Sequence, residues 1–194
     1  GGCRLCSVVI GGAIPNDALG ELITRGADRV YGVQHAKLAQ FLIEPYAKVL
    51  QHLIETYRPE VLIAAATTTG RTLLPYVSMK VHAGLTADCT GLEIEPETGN
   101  LLQTRPAIGG NIMATIKTPD ARPQMATVRP KSTPPAPRET GRTGEIIHVE
   151  IPEDLLTSRM KFETFIPDAS QGGAIEDAEV VVAGGRGVSK ADNF

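Results

Sequence analysis

The 194-residue sequence predicts an α/β fold: a doubly wound, mostly parallel sheet with antiparallel additions. Three observations carry that expectation. Extended apolar runs alternate with amphipathic helical runs from residue 6 to residue 82, the order that generates parallel crossovers with helices on both sides of a sheet. The run VLIAAA at 61–66 has no polar alternation, as a strand covered on both faces requires. Between 84 and 130 short apolar or β-branched runs are cut by Gly and Pro, the pattern of tightly turned extended strands.

Taken in order, the first strand is 6–10, and Gly11 and Gly12 turn the chain into the next element. Asn16 and Asp17 are suited to cap a helix through Ala18, Leu19, Leu22 and Ile23, whose spacing gives one apolar face, and Gly26 closes it. Residues 29–33 form the second strand. A longer amphipathic helix spans about 44–57, with Ala47, Leu50 and Ile54 on its buried side, until Pro59 stops it. After the strand at 61–66, TTTGR at 67–71 turns the chain into a helix over 72–82. That turn lies at the carboxyl edge of the sheet, where outward backbone N–H groups could take a phosphate. The plainer reading is that Thr67, Thr68 and Thr69 cap the helix and Gly70 permits a close turn, because there is neither a Walker lysine nor a full dinucleotide fingerprint. Pro75 is placed in the first turn of this helix, where its missing N–H costs little.

From 87 to 130 the pattern is an antiparallel addition with tight turns at 97–100 and 109–110. Asp88, Arg105, Asn111 and Arg129 stand inside otherwise apolar or small-residue strands. They either line an interface or cofactor pocket, or hydrogen-bond the loops around them. The proline-rich stretch 131–144 reads as a surface connection. Strands at 145–151 and 162–166 flank a polar, charged turn at 152–159. A small-residue hinge at 168–177 leads to a buried-type strand at 179–183, which runs into Gly184, Gly185, Arg186 and Gly187.

Composition narrows the function classes. A hydrophobic content of 42% with 21% charged residues is ordinary for a globular domain, and a net charge of −3 argues against a nucleic-acid footprint. No apolar run approaches the ~18 residues of a membrane span, and no secretory signal is expected at the start. Three cysteines make no disulfide framework, which suits a reducing compartment and points to the cytoplasm. Cys3 and Cys6 form a CxxC, but Cys89 and the histidines at 35, 52, 82 and 148 are scattered, so the pair is expected to be ordinary thiols beside a strand, with no metal.

Four segments share longer motifs: GLTADCTGLEIEPETGNLLQTRPAIGGNIMATIKTP at 84–119, RPQMATVRP at 122–130, GRTLLPYV at 70–77 and VVVAGGRG at 180–187. Together they resemble the α subunit of electron transfer flavoproteins over nearly the whole chain. The resemblance implies an adenine-nucleotide-binding-like N-terminal domain, 1–177, that pairs with a similarly folded electron transfer flavoprotein β subunit. Residues 178–194 would begin a C-terminal domain whose further segments hold FAD, and AMP or a second FAD is implied in the β subunit. The implied role is to carry electrons between flavin dehydrogenases, such as acyl-CoA dehydrogenases, and a redox acceptor, in some members by bifurcation. Outer-sphere transfer needs no base, nucleophile or metal, so the chain is expected to be a carrier rather than a catalyst.

By the same match Arg186 touches FAD, its guanidinium favouring the reduced, anionic flavin and raising its potential. Gly184, Gly185 and Gly187 would let the backbone approach closely. On the residues alone, this segment is equally a plain strand-to-helix turn with a solvated arginine. The family's first strand and helix are expected to precede Gly1, and a doubly wound sheet without that strand has two unpaired edges. The implied location is the cytoplasm, or the mitochondrial matrix in a eukaryote, with neither nucleic-acid binding nor membrane insertion. Two other functions fit the residues: an adenine-nucleotide-binding module using TTTGR, or a cofactor-free structural subunit that keeps the dimer interface.

Overall fold

Parallel pairing starts with the first strand. In the computed structural model, which describes residues 3–166, 175 and 178–190, β1 (Cys6–Gly11) lies parallel to β2 (Arg29–Gln34), with Cys6 opposite Arg29 and Gly11 opposite Gln34. The crossover is helix α1 (Asn16–Thr24). Its Leu19 and Ile23 bury against Val30 on one face of the sheet, while Val33, on the opposite face of β2, packs under helix α2 (Ile43–Tyr57). Because successive strand residues alternate faces, the sheet is covered on both sides, as the sequence predicts. A third strand, β9 (Glu145–His148), joins the far side of β2, also in parallel.

A second parallel sheet has the order β3 (Val61–Ala65), β8 (Gln124–Val128), β4 (Leu85–Cys89). Helix α3 (Thr68–Lys80) connects β3 to β4 and packs its Leu73, Leu74 and Val77 against Met125 of β8 and against α2. The remaining strands, β5 (Gly91–Ile94), β6 (Leu101–Ala107) and β7 (Ile112–Ile116), form an antiparallel sheet. It closes over Cys89 and Ala126 through Leu92 and Leu101.

Several expectations change. Residues 124–128 belong to the parallel sheet and occupy its centre, not the antiparallel addition; their full burial at Met125, Ala126 and Thr127 is the reason that QMATV carries no charge. Strand β3 is not covered on both faces. It pairs only with β8 among the described residues, and Ile63 is 51% exposed although Leu62 and Ala64 pack under the helices. Among the described residues the edge strands of the two parallel sheets are β1 and β9, and β3 and β4. Asn16 does not cap α1 but opens it. The extended Pro15 precedes the first turn with no side-chain cap, and among the described residues the Asp17 carboxylate accepts only the neighbouring Ala18 N–H. Pro75 lies in the interior of α3, where it denies the Arg71 carbonyl its helical donor. The strand at 145–151 ends at His148, where pairing with β2 stops.

The presumed polar turn at 152–159 holds a short 3-10 helix, Glu153–Leu156, whose Leu156 is 4% exposed and completes the cluster of Val33, Leu38, Val49 and Leu53. The chain then crosses the start of α2. Glu44 accepts the Arg159 backbone N–H at 2.7 Å, the Ser158 hydroxyl at 2.9 Å and the Arg159 guanidinium at 2.8 and 2.9 Å. Lys48 donates to the Thr157 carbonyl and hydroxyl.

Two compact units divide the chain after residue 162. In the second, neither 162–166, which straddles the division, nor 179–183 forms a strand. Phe165, Ile166 and Val180 are each at least three-quarters exposed, and an extended segment becomes a strand only with a partner to take its hydrogen bonds. The hinge read at 168–177 lies, apart from Ile175, outside the described residues.

The Glu44 clamp fixes a pH dependence. First the Arg159 backbone N–H, then its guanidinium and the Ser158 hydroxyl, hold the carboxyl at about 2 against an ordinary 4.5. A lowered carboxyl pKa contributes stability that is complete above the unfolded value and lost as pH falls through the folded one. Glu44→Gln should therefore be less stable than the parent at neutral pH, and the gap should close as pH falls from about 4.5 to about 2. Chemical denaturation followed by circular dichroism across that range checks it; a gap that stays constant with pH would contradict the clamp.

Candidate functional site

Strands β3, β8 and β4 end at a common edge, and arginines from three separate segments gather there around one carboxylate. Asp88 sits where the β4–β8 register shifts between Thr86 and Cys89, with a left-handed φ of 61°, a conformation that Asp adopts more readily than most residues. Its N–H donates to Thr127 Oγ1 at 2.8 Å, which aims the side chain along the edge. Arg129 Nη2 donates to Asp88 Oδ2 at 2.7 Å and Arg71 Nη2 to Oδ1 at 3.0 Å. The Arg129 backbone N–H is itself held by the Cys89 carbonyl at 2.8 Å, and Arg71 Nε by the Ala66 carbonyl at 2.8 Å.

Arg129's hydrogen bond, with the charges of Arg129, Arg71 and Arg105, keeps the Asp88 carboxyl below its usual range despite partial burial. Burial pushes the adjacent Cys89 thiol up. Asp88 and Arg129 thus have partners that the sequence did not reveal. Asn111 is exposed at the far end of the β6–β7 turn, remote in role from this edge.

TTTGR belongs to the helix rather than to a loop before it. Thr67 is the N-cap, its Oγ1 accepting the Gly70 N–H at 3.2 Å, and Thr68 through Arg71 form the first turn. Capping by Thr67 is the plainer of the two sequence readings. Gly70 is required by space: a Cβ there would stand 2.0 Å from the Ala65 carbonyl oxygen.

Gly184 to Gly187 stand apart from this edge in sequence. Gly185 precedes a single 3-10 turn, Arg186–Val188, closed by Val188 N–H to the Gly185 carbonyl at 3.0 Å. Added Cβ atoms at Gly185 and Gly187 would meet nothing within 4 Å, so packing within the described residues does not require glycine. Arg186 is exposed. Together these present a donor and a positive charge to solvent rather than an enclosed cavity.

A third feature is apolar. The turn and strand after β6 expose Ile108 (84%), Ile112 (53%) and Met113 (56%), with Gly109 and Gly110 at positive φ giving the reversal that the sequence predicts. Cys3 and Cys6 are free and exposed, and Cys89 is free and buried. Among the described residues no group of three or more His, Cys, Asp or Glu side chains is placed to hold a metal, and no helix is long and apolar enough to cross a membrane.

Comparison with known proteins gives a consistent picture. A family model described as the electron transfer flavoprotein domain matches residues 1–154. The chain is 43% identical over 193 residues to the electron transfer flavoprotein subunit alpha of Thermoanaerobacterium thermosaccharolyticum, covering 100% of this chain and 58% of that protein. It is 41% identical over 180 residues to protein FixB of Azotobacter vinelandii, covering 90% and 49%. Against the lactate dehydrogenase (NAD(+),ferredoxin) subunit LctC of Acetobacterium woodii it is 41% identical over 168 residues, covering 87% and 40%. The chain spans about half the length of the curated relatives it matches.

Gly70→Ala tests the fit of α3 against the end of β3. Because the obstacle is a backbone carbonyl, the helix start must shift, and overpacking of this kind costs about 1 to 3 kcal/mol. Urea denaturation should show that loss; an unchanged midpoint would mean that the helix start moves freely.

Proposed function

Because the chain belongs to the electron transfer flavoprotein domain family, we propose that it is the pairing domain of an electron transfer flavoprotein α subunit, 1–177, followed at 178–194 by the start of the domain that holds FAD. The observation that supports this most is the reach of the similarity. It runs over 193 residues against an α subunit and so takes in Gly184 to Gly187, beyond the 154 residues of the family model.

In this reading Arg186 contacts FAD, and Gly184, Gly185 and Gly187 keep the backbone low enough for that contact. FAD, when bound, supplies the one- and two-electron chemistry. Arg186 contributes a fixed positive charge that favours the negative charge gained on reduction. The protein's task is to position the carrier between flavin dehydrogenases and a redox acceptor, with AMP or a second FAD in the β subunit, in the cytoplasm or a mitochondrial matrix. The exposed Ile108, Ile112 and Met113 all lie on the β6–β7 hairpin and support a contact with the β subunit there, since exposed large apolar side chains mark interaction sites.

Both parts are tested in the full-length heterodimer. Arg186→Ala should lower the flavin potential by roughly 60 mV or more, a tenfold change in a one-electron equilibrium; an unchanged potential at full FAD content would sink the contact. Met113→Asp should weaken heterodimer formation by about tenfold or more, measured by sedimentation, and an unchanged affinity would remove the hairpin from the interface.

A further inference from the structure

The arginines at the carboxyl edge of the β3–β8–β4 sheet exceed what the fold needs to satisfy Asp88. Two guanidiniums already occupy both of its oxygens, Arg129 at 2.7 Å and Arg71 at 3.0 Å. Arg105, on β6, adds a third charge beside the end of β4, where the Thr90 N–H donates to the carbonyl of Thr104, the residue before it, at 2.9 Å, and its charge helps to lower the Asp88 carboxyl. The only hydrogen bond of its side chain among the described residues is a long one, 3.4 Å, to the Pro106 carbonyl. Among the described residues, three positive charges against one negative leave a surplus of two. Arg71 and Arg129 keep about half of their side-chain surface in solvent, so the surplus faces outward.

A second observation comes from β6. Gln103, two residues before Arg105 and therefore on the same strand face, is fully buried, and neither its amide nitrogen nor its amide oxygen has a hydrogen-bond partner among the described residues. Buried polar groups are normally satisfied, so an orphaned amide calls for an explanation. The strand face that carries Arg105 to the edge also carries polar capacity that no described residue uses.

We propose that this edge is an oxyanion site in which Arg71, Arg105 and Arg129 take a phosphate group of a small phosphorylated ligand, with Asp88 as the pivot that fixes two of the guanidiniums. Arginine is suited to the task because its planar fork offers paired donors to phosphate oxygens. The start of α3 lies beside Arg71, and its dipole has the same sign. The chemistry is binding only; no bond forms or breaks. The site is independent of electron transfer, and its failure would leave the flavin reading untouched.

The test is isothermal titration of the full-length heterodimer with inorganic pyrophosphate and, separately, methyl phosphate. A single saturable site is expected, weakening as salt is raised. Arg105→Gln, which disturbs neither Asp88 contact, and Arg71→Gln should each weaken it by about tenfold or more, the effect of losing a charged hydrogen bond, with FAD content unchanged. Binding of methyl phosphate would assign an ester-borne phosphate; binding of pyrophosphate alone would assign a free diphosphate. Absence of saturable binding, or equal affinity in the parent and in Arg105→Gln, would overturn the site. If Arg71→Gln fails to fold, Arg105→Gln alone decides.

Discussion

Helix α2 has to bury two stripes at once, and the first compact unit is arranged around that demand. Ala47, Leu50 and Ile54 pack with α3, Met125 and the inner residues of β3, while Val49 and Leu53 pack with Val33, Leu38 and Leu156 under the other sheet. The two parallel sheets share no strand, so this one helix joins their cores. Full burial of large aliphatic side chains is worth about 1.5 to 3 kcal/mol each, and Val49, Leu50, Leu53 and Ile54 are all at most 7% exposed. The Glu44 and Lys48 contacts then hold the returning segment so that Leu156 stays seated.

Elements whose signal is local were legible. The apolar spacing of α2, the positive-φ glycines of the β6–β7 turn and the alternation of strands and helices up to residue 80 all follow from period and turn chemistry, and the structure agrees within a few residues. What failed depended on pairing. QMATV and the 162–166 stretch look alike as short extended runs, yet the first lies between two strands and the second pairs with none among the described residues. A strand's identity resides in its neighbour, which a single run of residues does not name. Leu156 was hidden for a related reason: two adjacent leucines after Glu153 and Asp154 show no periodicity, and the burial of Leu156 depends on a helix more than a hundred residues earlier.

The site was legible to different degrees in its parts. GGRG stands out as a candidate because its residues are contiguous. The arginine edge does not, since Arg71, Arg105 and Arg129 come from a helix, an antiparallel strand and the end of a parallel strand, and an overall charge of −3 conceals any local excess. Asp88 carried a faint signal, an acidic residue between Ala87 and Cys89 in a strand, and its left-handed backbone explains how it leaves the sheet to reach both guanidiniums.

Strands β1 and β3 each lie at the edge of their sheet and under the same helix. Six residues of backbone on one and five on the other have a free side among the described residues, and such edges recruit any extended segment of matching hydrophobicity. For anyone handling residues 1–194 as a separate polypeptide, this makes concentration and added peptides controlling variables.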